Sequence, residues 1–486
     1  MSLRLTSKNF SNSIWSLIDI LLYPIVFFLS VPYFIKHLNT EIFGIWMLLN
    51  TIIIGLQMFN FGMGAGMLKH IAASIHKHDS TEINKIWNQG LSMSIIQSVL
   101  ILIITGVMAL LIFQIDLFAI TPALKGLVAQ SIILTGVWVG LRFFEQISTN
   151  YFKAHEQYQA AAYITTSNRL VPLLINILII QYYPSIIVLV LSNIVCNIIT
   201  ALICYFIITK QIPNFKFKFE RNFKTDTSKF AFNLWLQSLC MIIIFQTDRY
   251  LMVQYFGLQT LTFYALVATM FNHMHMGFNA ILAWVMPKFV KQHAHHEDSK
   301  PLFLAARNVI LLLSTNGVII LHFIFPFILP LILGSSYSEK IMHFTQPFLL
   351  LAIYLNATTI PIFYLNASGN EGIHLKFLFT FTVITLLSLV ISPLVVASPI
   401  TIPYVLAGAF FMVMIFYNFF SAKQLGLKLN NLKDIGQWFI LPLMASIFIL
   451  FPNNGWGLTA LIGVSVYTIY ILLVYRKIYW TTLKKS

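Results

Sequence analysis

The sequence predicts an all-α polytopic membrane protein of about fourteen transmembrane helices, and three observations predict it. Hydrophobic residues make up 58% of the 486-residue chain and charged residues only 9%, which leaves too little polar surface for a water-soluble globule. Apolar runs of spanning length recur from end to end, separated by short polar connectors. Lys and Arg, which give the chain a formal charge of +15, crowd alternate connectors.

The predicted spans of a first series are 14–35, 42–68, 90–113, 127–150, 160–182 and 185–208. A second series follows at 230–256, 258–285, 308–333, 344–366, 377–397 and 400–422, and two more runs lie at 435–451 and 456–475. The weakly basic N-terminus leads into a run longer than a signal-peptide core and is expected to be an uncleaved first span. Cys196, Cys204 and Cys240 all fall within apolar runs, where thiols act as small hydrophobes.

With the N-terminus in the cytoplasm, inner segments carry 24 of the 30 basic residues, and outer loops carry only Lys36, Lys125 and Lys340. That asymmetry places both termini inside. It also accounts for the basic balance without nucleic acid. The longest basic connector, 209–229, divides the chain into an N-lobe at 1–208 and a C-lobe at 230–422, followed by a helix pair and tail at 423–486. Each lobe opens alike, with Glu41-Ile-Phe-Gly-Ile-Trp46 in one and Gln259-Thr-Leu-Thr-Phe-Tyr264 in the other, a spacing of about 218 residues. Two sets of six helices in the same orientation form parallel repeats, with a site expected at their interface.

Three basic residues fall inside spans: Arg142, Arg169 and Arg249. A charge at membrane depth costs at least roughly 2.5–3.5 kcal/mol, so it turns toward protein, a wet cavity or the interface. Asp248 and Arg249 either line a cavity or snorkel outward. Arg142 and Glu145, three apart on one helix face, either pair or share a cavity wall. Arg169 has no acid near it in sequence, so a distant carboxylate neutralises it or its planar fork of donors awaits a phosphate. Asp19 is the remaining intramembrane acid of the set.

His273 and His275, two apart in one span, are candidates to line a polar cavity or to bond between helices. His293, His295 and His296 match no structural zinc spacing and read as a solvated loop, so no metal is expected. Gly62-Met-Gly-Ala-Gly66 follows no strand and reads as a helix-packing motif rather than a nucleotide loop. Pro24 and Pro32 in the first span, with Pro172, Pro326 and Pro361 later, are either hinges or passive kinks. There is no Walker A sequence, so ATP is not the direct driver.

The stretches Phe43-Gly-Ile-Trp46, Phe59-Asn-Phe-Gly-Met-Gly-Ala-Gly66 and Lys69-His-Ile-Ala72 resemble the second helix of polysaccharide-transport flippases. These are the O-antigen repeat-unit (Wzx-type) translocases of the MOP exporter superfamily. Thr247-Asp-Arg-Tyr-Leu-Met-Val-Gln-Tyr-Phe-Gly257 with Phe263-Tyr-Ala265 resembles their seventh helix, and the helix count agrees over essentially the whole chain.

The resemblance implies a MATE-like, V-shaped pair of six-helix bundles in the bacterial inner membrane, without enzymatic chemistry. Its implied cargo is an undecaprenyl-diphosphate-linked oligosaccharide for O-antigen or a related lipopolysaccharide component, with membrane lipids and the polymerase and chain-length proteins of the same pathway as partners. It implies Arg142, Arg169 and Arg249 as cavity ligands of diphosphate or sugar. Asp19, Glu145 and Asp248 are then ion-pair partners or sites for proton or sodium coupling, with no other cofactor. A lipid II flippase and a multidrug/cation antiporter share the resemblance. An O-antigen polymerase or ligase would carry a large outer loop, and no outer loop here exceeds about a dozen residues.

Overall fold

The computed structural model describes the backbone of residues 7–60, 67–68, 70–71, 74–75, 80–115, 118, 120–213, 215–220, 229–282, 284–427, 432–452 and 454–469, with side chains described from residue 22 onward over most of these. Among the described residues the protein is all-helical, with ten helices long and apolar enough to cross a membrane and two shorter apolar ones. It divides into two compact units, Thr6–Thr262 and Phe263–Ser486.

The first unit begins with α1 (Ser7–Leu56), which bends at Asn39 (φ 65°, ψ 168°) and closes in a 3-10 turn at Gln57–Asn60. Pro24 and Pro32 lie within α1, yet its non-helical residue is Asn39. There the Asn39 side-chain oxygen accepts from the backbone N–H groups of Glu41 and Ile42, capping the helix that resumes. Next come α2 (Ser80–Gln114), α3 (Pro122–Ala154), α4 (Tyr158–Ile179) and α5 (Ile186–Gln211). The helices outrun their apolar stretches: α2 starts ten residues before the predicted span, because a helix that leaves hydrocarbon continues with a solvated polar face. The predicted second span, 42–68, leaves α-helix at Leu56, and the glycines at 62, 64 and 66 lie outside the described residues.

Helix α6 (Lys229–Leu282) bends at Gly257 (φ 80°, ψ 173°), and the boundary between the units falls just after this bend. The two bends meet. Thr262 Oγ1 donates to the carbonyl of Thr40, Gln259 Nε2 to Thr40 Oγ1, and the backbone of Leu258 presses on Gly44, where any Cβ would collide. Small residues bring α3 onto α2 in the same way: Gly136 faces Thr105, and Gly140 faces Ser98, whose hydroxyl donates to the Gly140 carbonyl at 3.1 Å.

The second unit holds the end of α6, then α7 (Val285–Ala294), α8 (Lys300–Leu333), α9 (Ser335–Ala367), α10 (Glu371–Val395), α11 (Thr401–Gln424), α12 (Leu432–Leu450) and α13 (Gly455–469). Its central element is α9, which packs on α8, α11 and α12. Tyr354 donates to Ser446 at 2.8 Å, and Gln346 donates to the Ile449 carbonyl at 2.7 Å, tying α12 to α9. Arg307, counted in the sequence among inner-segment cations, sits inside α8 and is buried.

Candidate functional site

Three stretches of the first unit build one polar cavity of about 180 Å³: the C-terminal turn of α1, α3 and α4. Helix α1 ends with carbonyls that lack helical partners. Side chains from elsewhere satisfy them, Trp235 donating its indole N–H to Met58 and Gln97 its amide to Phe59. That fixes the turn, and with it Gln57 and Asn60 on the cavity wall. Helix α3 contributes Arg142, Glu145, Gln146 and Thr149, which recur at the spacing of one helix face. Helix α4 contributes Thr165 and Arg169, one turn before Pro172, which has no N–H to give the Asn168 carbonyl.

The structure thus brings together three of the sequence-predicted residues. Arg142 Nε stands 3.9 Å from Glu145 Oε2, too long for a hydrogen bond, and Glu145 is the more buried of the two. Arg142 and Arg169 are within electrostatic reach of each other, and Tyr23 of α1 is within reach of both. Among the described residues, two cations face one carboxylate in a site walled largely by amides and hydroxyls. Such a site retains a net attraction for an anion, and its guanidinium forks suit phosphate oxygens.

The other candidates lie elsewhere. Asp248 and Arg249 are buried on α6, off this wall; Asp248 Oδ1 accepts from the Arg249 backbone N–H at 2.8 Å. The Arg249 Nε atom has no hydrogen-bond partner among the described residues. The Asp19 side chain lies outside the described residues. His275 belongs to the second unit, in a chain linking α6 to α9: Nδ1 meets Asn356 Oδ1 at 2.7 Å, and Asn279 donates to Nε2 at 2.8 Å. Thr359 then donates to the Asn279 oxygen. Both ring nitrogens of His275 are engaged, which matches a neutral imidazole protonated at Nδ1. His273, on the same helix, is half-buried. No metal cluster of three or more ligands occurs among the described residues, and His293, His295 and His296 are exposed.

Sequence reasoning missed Tyr23, Gln57, Asn60, Gln146, Thr149 and Thr165. None carries a charge that would mark it as costly within a membrane, and their convergence depends on packing between helices.

Comparison with known proteins agrees with this architecture. The fold is similar to an inward-facing multidrug resistance MATE family transporter of the MOP superfamily, with TM-score 0.72 and 10% identity, covering 85% of this chain and 98% of that one. It is also similar to the inward closed conformation of the lipid II flippase MurJ, with TM-score 0.66 and 15% identity over 96% of this chain and 99% of that one. A MOP superfamily transporter from Pyrococcus furiosus superposes with TM-score 0.59 at 11% identity, covering 85% and 94% of the two chains. No curated protein matches by sequence. Residues 10–293, more than half of the chain, match the family described as polysaccharide biosynthesis protein. This chain is therefore a multi-pass membrane protein of the polysaccharide biosynthesis protein family, with the MOP superfamily transporter fold.

Proposed function

We propose that this protein is a flippase that moves undecaprenyl-diphosphate-linked oligosaccharide repeat units, for O-antigen or a related surface polysaccharide, across a bacterial inner membrane by alternating access. It has fourteen spans in this reading, each of the two bent helices crossing twice, with both termini in the cytoplasm. The observation that carries the proposal is the polar cavity holding Arg142 and Arg169 in mid-membrane helices, with a single carboxylate, Glu145, against them among the described residues. A diphosphate and its sugars cannot cross hydrocarbon unaided, whereas a polyprenyl tail need not leave it. Donors fixed inside the bilayer replace the water that the headgroup gives up.

In this reading Arg142 and Arg169 hold the diphosphate, and the amides of Gln57, Asn60 and Gln146 face the sugars. Glu145 takes the coupling cation, a proton or sodium ion, and exchanges it for the substrate's grip on Arg142. Arg249, buried off the wall, stands outside the contact set. The family, and the likeness to a flippase of a lipid-linked saccharide, support a lipid-borne cargo. An antiporter of cationic drugs would be served by a cavity with an excess of acid, and among the described residues this one has an excess of base.

Deletion followed by lipid analysis tests the reading. Undecaprenyl-linked single repeat units should accumulate, surface polysaccharide should fall, and wild-type protein but not Arg169→Ala should restore it. Unchanged surface glycan, or loss of cationic-dye efflux in its place, would refute the proposal.

A further inference from the structure

On an adjoining face of α3 lies a second cavity, of about 290 Å³, sharing no lining residue with the one that holds the arginines. Leu141, Phe144 and Ser148 line it from α3, where Arg142, Glu145 and Thr149 face the polar site. Its walls include Trp87 and Leu91 of α2 and Ala201 and Tyr205 of α5, and it opens to the protein's surface past Leu202, which is 52% exposed. Almost everything it presents is carbon. Trp87, 1% exposed, lines it, and the indole N–H finds no acceptor among the described residues.

One rim is a strap, residues 215–220, whose sequence Phe-Lys-Phe-Lys-Phe-Glu alternates aromatic and charged side chains. It is not an idle linker. Asn88 of α2 donates to the Lys216 carbonyl at 3.1 Å and accepts from the Lys218 N–H at 3.1 Å, and Ser92 accepts from the Glu220 N–H at 3.0 Å. Helix α2 thus clamps the strap backbone as a sheet edge would. Phe215 packs into the core beneath, Phe217 lines the cavity, and Lys216 and Lys218 point into the open. Glu220 lies 3.8 Å from Lys218, whose side chain is still 79% exposed, so the pairing leaves the ammonium accessible. Lys210 adds a third exposed cation at the end of α5.

An apolar slot open to the bilayer beside three exposed lysines on a fixed backbone has the makings of a lipid site, with chain and headgroup each provided for. We propose that the strap and the slot beneath Phe217 bind an anionic phospholipid of the cytoplasmic leaflet, its acyl chain in the slot and its phosphate on Lys216 and Lys218. The orientation is that of the proposed topology, which puts 209–229 inside. Because the slot shares no lining residue with the arginine cavity, this lipid is not the transported one. Its role is to hold the strap, and through Asn88 the inner end of α2, against the membrane.

The test is native mass spectrometry of the detergent-purified full chain titrated with phosphatidylglycerol or phosphatidylcholine. Wild type should retain phosphatidylglycerol over phosphatidylcholine by about tenfold or more, the scale expected of two lysines near an anionic headgroup. Lys216→Ala with Lys218→Ala should abolish the preference without changing the elution volume, and Ala201→Trp, which fills the slot, should remove binding of both lipids. Equal retention of the two lipids by wild type, or undiminished phosphatidylglycerol binding in either variant, would overturn the proposal. So would displacement of phosphatidylglycerol by undecaprenyl phosphate at equal concentration, since the occupant would then be the carrier lipid.

Discussion

Arg142 Nε lies 3.9 Å from Oε2 of Glu145, one turn further along α3, so the two charges attract without a close hydrogen bond. A carboxylate held at that distance can gain or lose a cation while the guanidinium keeps most of its five donors for another anion. Glu145→Gln keeps the side chain's shape and one of its acceptor oxygens and should still elute as a folded, monodisperse species. Reconstituted into vesicles, it should no longer respond to an imposed proton or sodium gradient. A gradient response equal to wild type would remove Glu145 from the coupling role.

Arg169 is best distinguished from a bare positive charge by comparing Lys and Ala at that position. Arg169→Lys keeps the charge and loses the planar fork, so surface polysaccharide in the complemented deletion strain should be partly restored. Arg169→Ala should fall lower by about tenfold or more, the scale of a lost charge-assisted hydrogen bond. Equal restoration by both variants would mean that no anion is read at this position.

At the two bends, Asn39 and Gly257 both take positive φ. Gly257→Ala forces a Cβ into positive φ with ψ near 180°, a region essentially reserved for glycine, and should cost about 1–3 kcal/mol. Asn39→Ala loses the cap on Glu41 and Ile42 as well, and should cost at least about 1 kcal/mol. Asn39→Gly should cost less than Asn39→Ala, because it restores the conformational freedom and loses only the cap. Thermal unfolding in detergent would rank the three.

The two bends were legible in the sequence, because the stretches 41–46 and 259–264 each follow a break between two apolar runs. So was the Arg142–Glu145 relationship, since three residues on a helix is a contact written into the chain. The joining of Arg169 to them was not. It depends on α4 packing on α3, and no local pattern records which face of one helix meets which face of another. Gln57 and Asn60 were hidden for a related reason: their position follows from Trp235 and Gln97 satisfying the carbonyls at the end of α1. Arg307 misled because a basic residue at the edge of an apolar run looks like a loop cation, and here the helix starts seven residues earlier.

Close packing at Gly44 makes a further demand. A Cβ there would run into the backbone of Leu258, which cannot swing aside as a side chain can. Gly44→Ala should therefore destabilise the first unit by about 1–3 kcal/mol, the usual penalty of overpacking. Gly106→Ala, where nothing stands within 4 Å, is the control and should be neutral. Similar melting temperatures for the two variants would show that the turns do not meet as described.

The central claim is that Arg142 and Arg169 conduct a diphosphate-linked saccharide through the bilayer. It is tested most directly by reconstituting the purified protein in vesicles and following the flipping of a fluorescent undecaprenyl-diphosphate oligosaccharide. Wild type should move it between leaflets, and Arg142→Ala with Arg169→Ala should fall to the rate of protein-free vesicles while eluting as a folded monodisperse species. Flipping by the double variant at the wild-type rate would contradict the account.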